Sequence, residues 1–377
     1  MKVCRVEAHR LEEVPITPPP FRKDPSTGSM TVVEVETDSG IVGYSVLGGG
    51  GGSPWPMTVE FINCYASQFL AGQDALLVER IWNQMVRQAG RHPAGMWASV
   101  AGAIDLALWD IRGKALGHPV WQLIGGARDR VPAYVSFGLA GPNTSASMYP
   151  AYSREELVEE AKYLVGQGHT RLKTVVGRWE VPDPDEDAAR MAAVREAVGP
   201  DVWLMMDASC YMSLQDAVRL CKLCEPLHIT FFEEPVHAND PRTLAALRKQ
   251  TSIPLAANPS GFRAAYREML LHDAVDIVQP NVASIGYTES IAVANMAGAF
   301  NVPIANGNGS GPHNIHLQAG MPNGWLLEFH WHNWQTYEAV FQDMPRPREG
   351  WTAPLNRPGL GLDPKPGIIK EYSRLPT

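Results

Sequence analysis

Cysteine is scarce in this sequence. Cys4, Cys64, Cys210, Cys221 and Cys224 are the only five among 377 residues, an odd and scattered set that excludes a disulfide framework. Cys221 and Cys224 form one CxxC, but it falls inside the amphipathic pattern from Leu214 to Cys224. No second CxxC or nearby histidine pair completes a zinc site, so these thiols read as small side chains on a helix face. Long apolar runs are absent too: no stretch approaches the ~20 residues that span a bilayer. Met1-Lys2-Val3-Cys4-Arg5-Val6 alternates like a strand and lacks the apolar core of a secretory signal. A cytoplasmic protein without membrane contact is expected. Basic clusters are missing, and the formal net charge is -8, so nucleic acid is excluded as a partner. The run Gly48–Gly52 has no GxxxxGK[ST] pattern and opens no helix directly, which argues against phosphate binding.

What the chain does have is the composition of a globular enzyme, 45% apolar and ordinary in charge content. Its length allows more than one domain. Residues 1–15 and Met30–Val46 read as strands, with Asp38-Ser39-Gly40 as a hairpin turn. The polar, proline-rich Pro18–Pro25 and the glycine-rich Gly48–Trp55 read as mobile lids. Helical patterns follow over Thr58–Leu70, Ala75–Ala89 and Ala98–Leu116. From Val131 the pattern changes to short apolar strands separated by helices. The strands are expected at Val131–Phe137, Arg171–Val176, Val202–Asp207, Ile229–Glu233, Ile253–Asn258, Val275–Gln279, Val302–Ala305 and Trp325–Glu328. Eight strands in βα alternation predict a TIM-type barrel. After Glu328 the chain is rich in Pro, Gly and Trp; it shows no clear helix and is expected to wrap back onto the N-terminal part. The Trp-rich C-terminal third also leaves room for subunit contacts, so a homo-oligomer is expected.

The strand ends carry the chemistry. Ile229-Thr230-Phe231-Phe232 is an apolar run that stops at Glu233-Glu234-Pro235. Trp203-Leu204-Met205-Met206 ends in Asp207, and Ile253-Pro254-Leu255-Ala256-Ala257 ends in Asn258. Three neighbouring tips offering oxygen predict a hard divalent cation at the barrel mouth, with Asp207, Glu233 and Asn258 as ligands. In order, the tips read Lys173, Asp207, Glu233, Asn258, Asn281, Asn306 and Glu328. Tyr211, just past Asp207, is a candidate substrate contact. Glu234 is expected to pair with a neighbouring strand, and His237 to sit on a solvated loop. His330 and His332 are expected to join Trp325, Trp331 and Trp334 in an aromatic seam to the N-terminal part.

Read together, several fragments resemble the enolase superfamily, in its mandelate racemase and muconate lactonizing branch. They are Ala103-Ile104-Asp105-Leu106-Ala107-Leu108-Trp109-Asp110-Ile111-Arg112-Gly113-Lys114, Gly117-His118-Pro119-Val120-Trp121, Leu172-Lys173-Thr174, Met206-Asp207-Ala208, Phe232-Glu233-Glu234-Pro235 and Asp276-Ile277-Val278-Gln279-Pro280. The resemblance covers nearly the whole chain. It implies an N-terminal α+β capping domain (1–130, with 341–377 returning to it) over a (β/α)7β TIM-type barrel (131–340). It also implies Mg²⁺ at the mouth and abstraction of the proton α to the carboxylate of a small-molecule substrate. Asp207 and Glu233 match the first two metal ligands. Lys173 matches the first lysine of a Lys-x-Lys strand, and Glu328 the acid at the last strand tip.

Four positions depart from the family pattern. Val175 replaces the second lysine, Asn258 stands for an acidic third ligand, and Asn281 and Asn306 or Gly307 fall where an Asp and a His are usual. Lys173 and His313 remain as candidate acid/base groups, with a lowered pKa expected for Lys173 beside a divalent cation. His316, one turn further, reads as packing. Asn281, Asn306, Glu328 and Tyr211 are the candidate substrate contacts. A one-base site favours dehydration of a hydroxy acid such as a sugar acid. The alternatives are a racemase, epimerase or cycloisomerase reaction, and a barrel that binds a carboxylate without turning it over.

Overall fold

Alternating Val-rich segments near the N-terminus pair into an antiparallel sheet. The computed structural model describes residues 1–17, 27–47, 56–89, 96–138, 153–177, 181–259, 261–307 and 311–374. The expected lids at Pro18–Pro25 and Gly48–Trp55 lie outside these residues. Strands β1 (Val3–Pro15), β2 (Thr27–Thr37) and β3 (Val42–Leu47) run antiparallel, and the turn between β2 and β3 closes on Gly40 at φ 79°. Helices Val78–Ala89 and Met96–Leu116 follow.

The barrel strands are β4 (Val131–Phe137), β5 (Arg171–Val175), β6 (Trp203–Asp207), β7 (Ile229–Glu233), β8 (Leu255–Ala257), β9 (Ile277–Val278), β10 (Ile304–Ala305) and β11 (Gly324–His330). They pair in parallel in sequence order, and β11 pairs with β4 to close the ring. This is the eight-stranded TIM-type barrel the alternation predicts. The chain corrects one expectation: after β11 it does form a helix, Trp331–Val340, which contacts β1 and β2. The tail then adds β12 (Trp351–Thr352), antiparallel to the first two residues of β4, and β13 (Ser373–Arg374) pairs with β1.

The period of two along each strand sorts side chains into layers inside the ring. The lower layer is Tyr134, Met205, Phe231, Ala256, Ile277, Ala305 and Leu326. Lys173, in register with Met205, supplies the position from β5. Two residues further along each strand the same face presents Ser136, Val175, Asp207, Glu233, Asn258, Gln279, Gly307 and Glu328. The mouth is thus polar and acidic above an apolar plug, with one lysine rising through it.

Candidate active site

Lys173 starts one layer below the acids and reaches up between them. Its Nζ lies 2.6 Å from Glu233 Oε2, 2.9 Å from Glu328 Oε1 and 3.0 Å from Asp207 Oδ2. The aliphatic stem crosses the apolar plug, the side chain is 2% exposed, and the ammonium stands 5.3 Å from the Tyr134 ring centroid. Asp207 and Glu233 are register partners on β6 and β7, which brings their carboxylates to one point. Asp207 is aimed by its other oxygen: Oδ1 accepts from the Ser209 N–H at 2.8 Å and from its hydroxyl at 3.2 Å. Glu328 accepts from the Ser136 hydroxyl.

The electrostatics follow from one cation among three acids. Burial lowers the Lys173 pKa, but Asp207, Glu233 and Glu328 outweigh it and hold the ammonium well above its ordinary value. With only these three acids around it Lys173 keeps its proton; the lowered pKa expected beside a divalent cation belongs to the metal-bound site. Burial raises the Glu233 pKa, Asp207 and Glu328 raise it further, and Lys173 does not fully offset them. Glu328 goes the other way: burial raises it, but Lys173, His330 and Ser136 bring it below the ordinary value. Glu234 is pushed up to about 7 by burial and then by Asp207. Instead of an ion pair across strands, Glu234 takes hydrogen bonds from the Asn239 amide and the Cys210 thiol. The backbone here is strained. Ser209, Cys210, Glu234, Ala238 and Asn239 all have φ between 44° and 68°, a concentration typical of functional sites.

Asn258 lies on the same inward face, and its Oδ1 accepts from the Tyr266 hydroxyl at 2.9 Å. Asn281 is expected among the substrate contacts, but its side chain caps the helix Val282–Ala299: Oδ1 accepts from the Ala283 N–H at 3.1 Å. Asn306 Oδ1 accepts from the Glu328 N–H at 3.1 Å, and its buried Nδ2 has no partner. Tyr211 is 37% exposed and His237 is exposed.

His313 is fully buried at the start of a helix, 6.2 Å from Tyr337 between ring centroids, with both ring nitrogens unpartnered. Burial takes its pKa down to about 3, so the ring is neutral. His316 is a clamp: the Trp121 N–H donates to Nδ1, and Nε2 reaches the Leu360 carbonyl at 3.1 Å. The expected aromatic seam divides. Trp331 and Trp334 pack on Phe329 beyond the end of β11, whereas Trp325 packs on Trp203 and Phe231 at its start. The His332 side chain lies outside the described residues.

Two inward groups escape the tip-by-tip sequence reading, Ser136 and Gln279. Gln279 is fully buried, and neither atom of its amide has a partner. It stands two residues after the inward Ile277, so strand periodicity alone could have found it.

Among the described residues, no three His, Cys, Asp or Glu side chains form a ready metal cage. The donor set nevertheless suits a hard divalent cation. Asp207 and Glu233 are aligned carboxylates, Asn258 adds a neutral amide oxygen on the same inward face, and three acids around one ammonium leave a buried surplus of negative charge.

Comparison with known proteins agrees with this architecture. Residues 10–125 match the mandelate racemase / muconate lactonizing enzyme N-terminal domain, and residues 156–368 match the enolase C-terminal domain-like family. The chain is 32% identical over 378 residues to a D-galactonate dehydratase of Klebsiella pneumoniae (strain 342), covering 91% of this chain and 90% of that one. It superposes with TM-score 0.84 on the 3,6-anhydro-D-galactonate cycloisomerase of Zobellia galactanivorans, at 27% identity, covering 99% of this chain and 100% of that one. The L-talarate dehydratase of Polaromonas sp. JS666, solved with Mg and L-glucarate, gives 0.82 at 25% identity, covering 99% and 97%. Barrel, cap and ordered strand-tip residues all lead to one assignment: the chain belongs to the enolase superfamily, in its mandelate racemase and muconate lactonizing enzyme branch.

Proposed function

We propose that this protein is a Mg²⁺-dependent hydro-lyase acting on a sugar acid or a related hydroxy acid. It removes the proton α to the carboxylate, expels the β-hydroxyl as water and releases a 2-keto acid. The observation that carries the reading is the buried excess of carboxylate at the barrel mouth, Asp207, Glu233 and Glu328 around the single ammonium of Lys173. The dehydratases among the relatives support the choice of reaction. Asp207 and Glu233, with the amide oxygen of Asn258 as the third donor, would hold the cation. When bound, it supplies positive charge that stabilises the enediolate form of the substrate carboxylate.

The chain's own groups do the rest. Lys173 binds the underside of the acids and fixes their spacing; it can give up its proton only when other positive charge meets those acids. His313 is neutral with bare ring nitrogens and is the second candidate for proton transfer. Val175 on β5, and Asn281 and Gly307 past the ends of β9 and β10, cannot move a proton, so among the described residues these positions supply no paired acid and base. That asymmetry favours elimination over a 1,1-proton transfer, which needs groups on both faces. A cycloisomerase reaction is the second reading, favoured by the superposition on the Zobellia enzyme.

The test is a panel of aldonic and aldaric acids incubated with and without Mg²⁺ and assayed for 2-keto product. Metal-dependent keto acid supports the proposal. An isomer formed without loss of water transfers the assignment to the second reading. Binding of the acid without any product removes both.

A further inference from the structure

Gln279 is the one mouth-layer amide whose donor and acceptor are both unpartnered. Its side chain is fully buried just past β9, and neither Nε2 nor Oε1 has a hydrogen-bond partner among the described residues. On the neighbouring strand tip, Asn306 is turned by its bond to the Glu328 N–H, which leaves Nδ2 without a partner. The two tips are adjacent because Val278 and Ile304 are register partners. Gly307 completes the arrangement: a Cβ there would stand 2.3 Å from Glu233 Oε1 and 3.1 Å from Gln279 Nε2. Only glycine lets the amide and the carboxylate sit this close to the strand. Leaving such groups unsatisfied is costly, and Gln279 stands on the inward face of the barrel, two residues after Ile277.

We infer that Gln279, with Asn306 beside it, binds a hydroxyl group of the substrate. The chemistry of the unmet atoms selects the ligand. A carboxylate only accepts hydrogen bonds and an ammonium only donates them, so neither satisfies both ends of a free amide. A hydroxyl does both. Charge selects in the same direction, because Glu233 and Glu328 flank this side and repel an anion. The inference rests on the proposed hydroxy-acid substrate and adds which residue distinguishes a hydroxylated chain from a plain one. Gln279 acts here as a specificity residue, with no part in proton transfer.

The test uses Gln279→Met, which keeps the volume and removes both hydrogen-bonding ends. Thermal unfolding is measured first. Binding of D-galactonate and of hexanoate, each with Mg²⁺ present, is then measured by calorimetry on the full chain. The expected result is an unchanged or raised Tm, at least tenfold weaker D-galactonate binding, and no change for hexanoate. A Tm drop of several degrees would show that the amide has a structural role, and equal D-galactonate affinity would show that it meets only solvent; either overturns the inference. A wild type that binds no D-galactonate overturns it together with the hydroxy-acid reading. D-galactonate binding that depends on Gln279 but yields no keto acid upholds it and removes only the dehydration.

Discussion

At the scale of single residues, Lys173 stands where charge, packing and chemistry meet. Its stem lies among apolar neighbours and its ammonium satisfies three acids at 2.6–3.0 Å. Removing it strands buried charge. Lys173→Met should cost about 3–5 kcal/mol in denaturant unfolding at neutral pH with a chelator present; a loss under about 1 kcal/mol would mean that the acids do not depend on it. The same variant should abolish exchange of the substrate α-proton with deuterated solvent, and exchange near the wild-type rate would move the base elsewhere. His316 governs a different property. Burial first, only partly offset by the Leu360 carbonyl, lowers its pKa to about 4. Its neutral form is already fixed by hydrogen bonds at both nitrogens. Below the unfolded pKa of about 6.5 the unfolded chain takes a proton that the folded chain refuses. Stability is therefore present above that pH and lost as pH falls toward 4. His316→Gln, an amide that can accept from Trp121 and donate to Leu360 without titrating, should give a flatter decline of Tm between pH 7 and 5. An unchanged slope would assign the acid sensitivity to other groups.

At the scale of elements, the helix Met96–Leu116 shows why its motif is legible. Asp105 is buried and accepts from the Thr288 N–H at 2.9 Å and its hydroxyl at 2.6 Å. Trp109 donates its indole N–H to the same hydroxyl. The partner helix Val282–Ala299 turns at Gly286, where φ is 72° and a Cβ would meet Asp105 at 2.6 Å. One turn on, Asp110 accepts from the backbone N–H groups of Tyr44 and Leu360 and pairs with Lys114. These carboxylates join cap, barrel and tail, so the motif marks a junction and not a reaction site. Asp105→Ala should destabilise by about 2–3 kcal/mol in denaturant unfolding, because it removes two hydrogen bonds and leaves the buried Thr288 donors unsatisfied; a neutral result would contradict the junction. The βα alternation was readable because buried parallel strands are short apolar runs. The helix Trp331–Val340 was not, because its face packs on the cap as well as the barrel and carries no clean helical period.

At the scale of the whole molecule, strand order and mouth position follow from pattern alone, while the orientation of individual mouth side chains does not. Asp207 and Glu233 could be read from their register at strand ends. Asn281 could not, because the sequence does not reveal whether an Asn at a tip faces the cavity or caps the next helix, and here it caps. Gln279 is less legible because Asn281, two residues on, is the last polar residue at that strand end, whereas the inward period from Ile277 falls on Gln279. We propose that residues 1–130 with 341–377 form the cap and 131–340 the barrel, and that neither folds alone. The cap helix Met96–Leu116 packs along Val282–Ala299, and β13 closes onto β1. A fragment of residues 131–340 should therefore lack a cooperative thermal transition by circular dichroism, and a sharp transition would show the barrel to be independent.

The account turns on a cation held by acids that Lys173 already gathers. Calorimetric titration of the metal-free protein with Mg²⁺ tests it most directly, with Asp207→Ala as the comparison. One ion per wild-type chain and none for Asp207→Ala is the predicted result; stoichiometric Mg²⁺ on the variant, or none on the wild type, would contradict it.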